Sequence, residues 1–211
     1  MTAKLISYTR DYMPVLLRAA SQSYQKIASD RVIEHIIQAG HLSVLEHCMA
    51  TFECTASVSV LLQITRHRHL SFTVQSSRGS ELTSYRHTGN KIIDADNDVA
   101  MHQYRALLNG GEPYEEAAYL LPKAAEYSFI VSGNLRAWME YLPKRLCKRA
   151  MPEHRELARE IAQELRYAMP EIFDGDLTAC STCRETSCGF SQKLSTGKEQ
   201  GCSAGLFNTS K

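Results

Sequence analysis

Arg66-His67-Arg68-His69-Leu70-Ser71-Phe72-Thr73-Val74-Gln75-Ser76-Ser77-Arg78, the stretch RHRHLSFTVQSSR, decides how this chain reads. It packs three arginines, two histidines and three serines into thirteen residues, directly after the apolar run VSVLLQIT at 58–65. Arginine offers a planar, permanently charged fork that suits phosphates and anionic rings. Serines and neighbouring backbone amides can complete a phosphate cradle. A short basic run alone is more often a solvated face or a nonspecific nucleic-acid patch. Its surroundings therefore settle what it does.

Composition narrows those surroundings. At 211 residues the chain can bury a real core, and 44% hydrophobic with 22% charged residues is ordinary for a globular protein. A net charge of +1 gives no global pull toward nucleic acid or acidic membranes, so any anion site must be local. No apolar run approaches a membrane span, and the start MTAKLISYTRDY lacks a signal-peptide core, which reads as cytoplasmic. The seven cysteines, an odd number with no export signal, argue against a disulfide framework.

Along the chain, YMPVLLRAASQSYQKIA at 12–28 has helical periodicity around a polar Ser21-Gln22-Ser23 patch. Asp30 reads as an N-cap for a short helix closed by Gly40. Residues 41–47 read as a polar-studded turn, 50–57 as a strand, and 58–65 as a buried helix that periodicity alone does not separate from a strand. Residues 79–99, rich in Gly, Asn and Asp, read as loop, followed by a helix over 100–109 stopped by Gly110-Gly111. A short helix spans 114–121 before Pro122, and Asn134 opens a helix interrupted by Pro143. Pro152 starts a last helix whose Glu/Arg pairs suggest a largely exposed surface. Trp138, Met139, Tyr141 and Leu142 read as core. The residues support a mixed α and β chain with helix predominating.

Four stretches in order resemble the flavin-dependent thymidylate synthase family. They are Gly40-His41-x-Ser43-x-x-Glu46-His47; Gln63 with Arg66-His67-Arg68 and Ser76 after seven further residues; Ala117-Ala118-x-x-Leu121-Pro122; and Asn134-Leu135-Arg136 with Arg145 and Arg149 downstream. The resemblance implies an α/β (α+β) fold, a small central sheet flanked by helices with a helix-rich C-terminal half. It implies an enzyme that methylates dUMP reductively, with FAD bound, methylenetetrahydrofolate as carbon donor and NADPH as reductant. Ser23, His41, Ser43, Glu46, Arg66, His67, Arg68, Asn134 and Arg136 would contact FAD. Gln63, Arg66, Ser76, Ser77, Arg78 and Arg145 would hold dUMP. The family's homotetramer draws each site from several subunits. Donors and cations near a flavin's pyrimidine edge stabilise the charge gained on reduction, a role that fits His41 and the RHR run. A guanidinium at the uracil carbonyl edge polarises the ring, the catalytic role assigned to Arg145.

Bland readings stand beside these. Ser76 as a nucleophile activated by His67 or His69 has no Gly-x-Ser-x-Gly elbow to support it. His47 could pair with Glu46 or cap, and Asn134 and Arg136 fit capping and surface pairing. A noncatalytic nucleotide- or RNA-binding protein is the rival of a different class, and the near-neutral charge argues against it.

The chain departs from the family pattern at several positions. Thr73-Val74-Gln75 stands where an acidic or amide pair is frequent, Ala118 where arginine is usual, Gly79 where tyrosine follows the motif arginine, and Glu140 where asparagine is found. Most of these fall on the nucleotide side, which keeps UMP open as an alternative substrate. A carboxylate at 140 would oppose an anionic reduced flavin unless Arg136 or Lys144 pairs with it. Residues 1–173 form the expected catalytic domain. Residues 174–211 read as a flexible Cys-rich tail, with Cys180, Cys183, Cys188 and Cys202 able to suit a tetrahedral metal site or to be incidental thiols. The chemistry itself requires no metal.

Overall fold

The strand expected over 50–57 is present as Met49–Ser57, and its alternating burial shows why it formed: Ala50, Phe52, Cys54 and Ala56 all point inward. The computed structural model describes residues 1–24, 29–180, 183–185 and 187–189. Four strands, β1 (Thr2–Tyr8), β2 (Met49–Ser57), β3 (Ser71–Val74) and β4 (Glu126–Asn134), form an antiparallel sheet in the order β1-β2-β4-β3. Register between β2 and β4 is marked by hydroxyl pairs, Thr51 with Ser132 at 3.0 Å and Thr55 with Ser128 at 3.4 Å. A step of four residues forward on one strand meets four back on the other, as antiparallel pairing requires.

Helices supply the rest: α1 (Tyr12–Tyr24), α2 (Asp30–Gln38), α3 (Val58–Ile64), α4 (Lys91–Asn109), α5 (Tyr114–Ala117), α6 (Leu135–Leu146), α7 (Pro152–Ala168) and α8 (Pro170–Phe173). The mixed α/β class with a small sheet and a helical C-terminal half therefore holds. Among the described residues no helix is long and apolar enough to cross a membrane.

Several boundaries differ from the sequence expectations. Ser29 rather than Asp30 is the N-cap residue of α2. The loop expected to run to residue 99 gives way to helix at Lys91, because the Asn90 side chain accepts from Ile92 N and Ile93 N and Asp94 lies in the first turn, where the helix dipole favours an anion. Pro143 sits inside α6 without ending it; the helix runs on to Leu146 and stops there. The surface of α7 is not largely exposed: Leu157, Ala158, Ile161, Ala162 and Leu165 bury one whole face. β1, β3 and β4 were not foreseen as strands.

By its internal contacts the chain divides into two compact units, one of Met1–Ala3 and Glu53–Val131, the other of Lys4–Phe52 and Ser132–Lys211. In the first, Leu82, Tyr104 and Ala117 form a buried cluster joined by Leu108, Leu121 and Tyr127, and the Tyr104 hydroxyl accepts from Leu82 N at 3.2 Å. The second is built around Trp138, fully buried, whose ring meets Phe52 edge-on at 5.1 Å and Tyr141 at 5.7 Å. Its indole Nε1 donates to the carbonyls of Ala50 (3.1 Å) and Gly133 (3.2 Å), so a buried donor is satisfied. Beyond Phe173, Leu177 and Thr178 are buried, Arg166 donates to the carbonyls of Phe173 and Gly175, and Arg149 pairs with Glu185 at 3.1 Å.

Candidate functional site

In the first unit, α3 ends on a tightening turn. Ser57 caps its start, accepting from Val60 N, and Val60, Leu61 and Ile64 are buried. At the other end Arg66 N donates to the Gln63 carbonyl (3.3 Å), His67 N to Ile64 (3.0 Å) and Leu70 N to His67 (3.0 Å). Leu70 is buried, which pins the turn and leaves Arg66 and Arg68 exposed. Among the described residues neither guanidinium has an ion-pair partner. Gln63 sends its side-chain amide back to the Ser59 carbonyl at 3.2 Å.

β3 then leads into the serine turn. The Ser76 carbonyl accepts from Gly79 N (3.2 Å), Ser80 N (3.0 Å) and Ser80 Oγ (2.9 Å), while its Oγ accepts from Arg78 N at 3.3 Å. That hydroxyl orients a backbone turn. Among the described residues no histidine bonds it, so the geometry gives no support to a serine nucleophile. Arg78 reaches Glu115 at 3.5 Å, both side chains well exposed. Sequence reasoning missed Gln75. Its backbone N donates to the Ser128 carbonyl (2.9 Å), its Oε1 accepts from Ser128 N (3.3 Å), and its Nε2 donates to Ser80 Oγ (3.3 Å) and the Glu81 carbonyl (3.2 Å). Gln75 thus clasps the Ser76–Ser80 turn to β4. An amide just before a hydroxyl-rich turn was the available signal.

The third stretch divides in the same unit. Ala117 is buried and Leu121 packs on the cluster of Leu82 and Tyr104, so both are core residues. Ala118 is half-buried at the start of a short 3-10 turn, Ala118–Leu120, and contributes no charge. At Gly79 an added Cβ would meet nothing within 4 Å.

The second unit holds the other candidates. Gly40 takes φ +74°, Gly40 N donates to the Ile37 carbonyl (3.1 Å) and His41 N to Ile36 (2.9 Å). This is a Schellman closure of α2, and it needs the left-handed conformation that glycine adopts without strain. The chain continues as a 3-10 helix, Leu42–His47, in which residues three apart share an edge. Leu45 is fully buried and faces inward with Leu42; Ser43 and Glu46 share an exposed edge. The helix packs against α1 and α6.

Asn134 is the N-cap of α6, its Oδ1 accepting from Ala137 N at 2.8 Å. Its side-chain oxygen therefore has a capping job whatever else it does. Arg136, in the first turn, donates through Nη1 to Glu46 at 2.6 Å and through Nε to Glu140 at 2.9 Å. Those hydrogen bonds, to Glu140 first and then Glu46, raise its pKa further. Glu46 thus pairs with Arg136 and not with His47, and the Glu140 carboxylate is paired as its position demanded. Arg145 is half-buried on the last turn of α6. Ser23 lies on the last turn of α1, its side chain outside the described residues.

The cysteines do not make a metal centre among the described residues, where no group of three or more His, Cys, Asp or Glu could hold an ion. Cys180 and Cys183 line one cavity, Cys188 is buried and is not among its lining residues, and Cys202 lies outside the described residues. Cys48 and Cys54 are fully buried, and burial pushes the Cys48 thiol up.

A small antiparallel sheet, an exposed hydroxyl- and arginine-rich turn after α3 and a Schellman-closed polar turn before β2 define a mixed α/β protein. The family described as thymidylate synthase complementing protein matches residues 4–171. The flavin-dependent thymidylate synthase of Sulfurisphaera tokodaii is 32% identical over 196 residues, covering 82% of this chain and 76% of that protein. Thymidylate synthase X from Helicobacter pylori, solved with FAD and dUMP, has a similar fold, with TM-score 0.74, 23% identity, and coverage of 82% of this chain and 98% of that one. A UMP/dUMP methylase, PolB from Streptomyces cacaoi, solved with 5-Br UMP, gives TM-score 0.69 at 21% identity, covering 82% and 92%. The chain belongs to the flavin-dependent thymidylate synthase family, and is an enzyme of that family.

Proposed function

We propose that this enzyme methylates dUMP reductively to dTMP, with FAD bound, methylenetetrahydrofolate as carbon donor and NADPH as reductant. The observation that carries the reading is the pair Arg66 and Arg68, exposed guanidiniums without ion-pair partners among the described residues, on a turn fixed by buried Leu70. Charge held ready in this way fits a phosphate-bearing ligand, because no internal carboxylate must first be displaced.

In the first unit Arg66, His67 and Arg68 would hold the flavin, and Gln63, Arg66, Ser76, Ser77 and Arg78 the nucleotide, with Gln75 fixing the serine turn. In the second unit His41, Ser43, Glu46, Asn134 and Arg136, together with Ser23, would line the flavin. Arg136 already serves two carboxylates, so its part is to hold Glu46 in place more than to neutralise a phosphate. Arg145 would stabilise charge at the uracil carbonyl edge. FAD, when bound, supplies the reducing equivalents for the transferred carbon. The catalytic part would be residues 1–173, with 174–211 appended. A homotetramer, implied by the family resemblance, would let separate subunits complete each site.

Methylation of UMP is a second reading. Ala118 favours it, placing a methyl where the resemblance leads one to expect arginine, and so does the likeness to a UMP/dUMP methylase. An absorption spectrum of the purified protein, followed by titration with dUMP and then UMP, tests both. Flavin bands that shift with dUMP, with dTMP formed on adding both cosubstrates, support the first. A response confined to UMP selects the second. Absence of flavin after reconstitution overturns both.

A further inference from the structure

Three of the cysteines converge on one place. A cavity of about 560 Å³ at the end of α6 is lined by Glu140, Pro143, Lys144 and Cys147 on one side and by Ala179, Cys180 and Cys183 on the other. All belong to the second unit. The thiols differ in access: Cys183 is exposed, Cys147 and Cys180 half-buried. Cys147 is held firmly, following the buried Leu146 at the end of a helix whose Trp138, Tyr141 and Leu142 are all core. No step of the proposed reaction uses any of the three.

We propose that this cavity is a thiol-modification site that takes low-molecular-weight disulfides and converts them into an internal Cys147–Cys183 bridge. The exposed Cys183 thiolate attacks the small disulfide, forming a mixed disulfide and releasing one small thiol. The Cys147 thiolate then attacks the Cys183 sulfur, forming the internal bridge and releasing the second small thiol. The protein loses two thiol hydrogens and the small disulfide is reduced to two thiols, so electrons and protons balance. Cys180 is the competing partner for Cys183. The bridge from Cys147 closes the longer loop, removes more freedom from the unfolded chain and is the more stabilising of the two. It fastens the segment after Phe173 to the helix that carries Arg136 and Glu140.

The full chain, incubated with oxidised glutathione, alkylated and digested with trypsin without reduction, tests this. The expected product is the peptide ending at Lys148 joined to the peptide running from Tyr167 to Arg184 with Cys180 alkylated, its mass the sum of the two unmodified peptides plus one alkyl adduct and less two hydrogens. Cys180→Ser should keep that product, and Cys147→Ser should abolish it and with it any rise in melting temperature on oxidation. Circular dichroism of both variants in the reduced state checks that they fold. A cross-link that survives Cys147→Ser but is lost in Cys180→Ser overturns the proposal. So does glutathione that stays on Cys183 with Cys147 fully alkylated.

Discussion

Arg66 and Arg68 in the first compact unit and Arg136 in the second are treated in opposite ways. In the first, Arg66 and Arg68 stand on a turn anchored by apolar burial at Leu70, and no carboxylate among the described residues answers them. In the second, Arg136 is answered twice, by Glu46 and Glu140. An arginine left unpaired next to fixed backbone is available to a partner that arrives from outside. An arginine shared between two carboxylates holds protein to protein, here the polar turn at Leu42–His47 to α6. Position in a family motif does not distinguish these roles; the surrounding charges do.

The largest expected effect breaks the second unit's scaffold. Trp138→Ala removes a fully buried ring and two indole hydrogen bonds, and should cost about 3–5 kcal/mol in denaturant unfolding. Next, Arg66→Ala and Arg68→Ala should each weaken flavin binding by roughly tenfold to a hundredfold, the worth of one charge-assisted hydrogen bond, with melting temperature unchanged. Retention of full affinity in both would end the distinction between available and occupied arginines. Asn134→Ala should cost about 1 kcal/mol through loss of the α6 cap. A conservative Asn134→Asp restores that stability, and flavin affinity that also returns assigns Asn134 to structure alone. Glu140→Gln leaves Arg136 with one carboxylate; because the pair is half-exposed, the melting temperature should move by no more than about 2 °C. Smallest of all, Gly79→Tyr introduces into open space the side chain that the family resemblance leads one to expect there, so stability should stay within about 0.5 kcal/mol while dUMP affinity rises.

A pH test sharpens the contrast from the carboxylate side. In the first unit Asp94 accepts from Thr88 N (2.8 Å), Thr88 Oγ1 (2.9 Å) and Gly89 N (3.1 Å). These bonds, the Thr88 backbone one foremost, hold its pKa below the ordinary carboxylate value. A lowered folded-state pKa means that the stabilisation is complete above the unfolded value and is lost as pH falls through the folded one. Amide-exchange protection at Thr88 and Gly89, taken relative to the intrinsic rate at each pH, should therefore fall on acidification, and Asp94→Asn should lower it at neutral pH as well.

Much of this was legible because it is local. Gly40 as a helix terminator, Asn134 as a helix opener, Pro152 in a first turn and the alternation of β2 are rules of nearest neighbours, and the structure has each of them. The start of α4 was misread because its aspartates and asparagines resemble loop composition, whereas Asn90 and Asp94 are start signals for a helix. β4 was missed because its alternation is diluted by Ser128, Ser132 and Gly133, and its strand character comes from pairing with β2 and β3.

The candidate site divides along the same line. The sequence by itself determined the family and which side chains are available: the RHR run with its serine, the polar turn after Gly40, and the late helix with its arginines. Those are covalent facts of type and spacing. Only the tertiary structure decided what each side chain is doing. It gave Arg136 to Glu46 and Glu140, made Asn134 a cap, turned Ala117 and Leu121 into core and set Gln75 as the clasp of the serine turn. The reason is physical: a charge or an amide is available or occupied according to partners as far as ninety residues away in sequence, and local spacing carries no record of them.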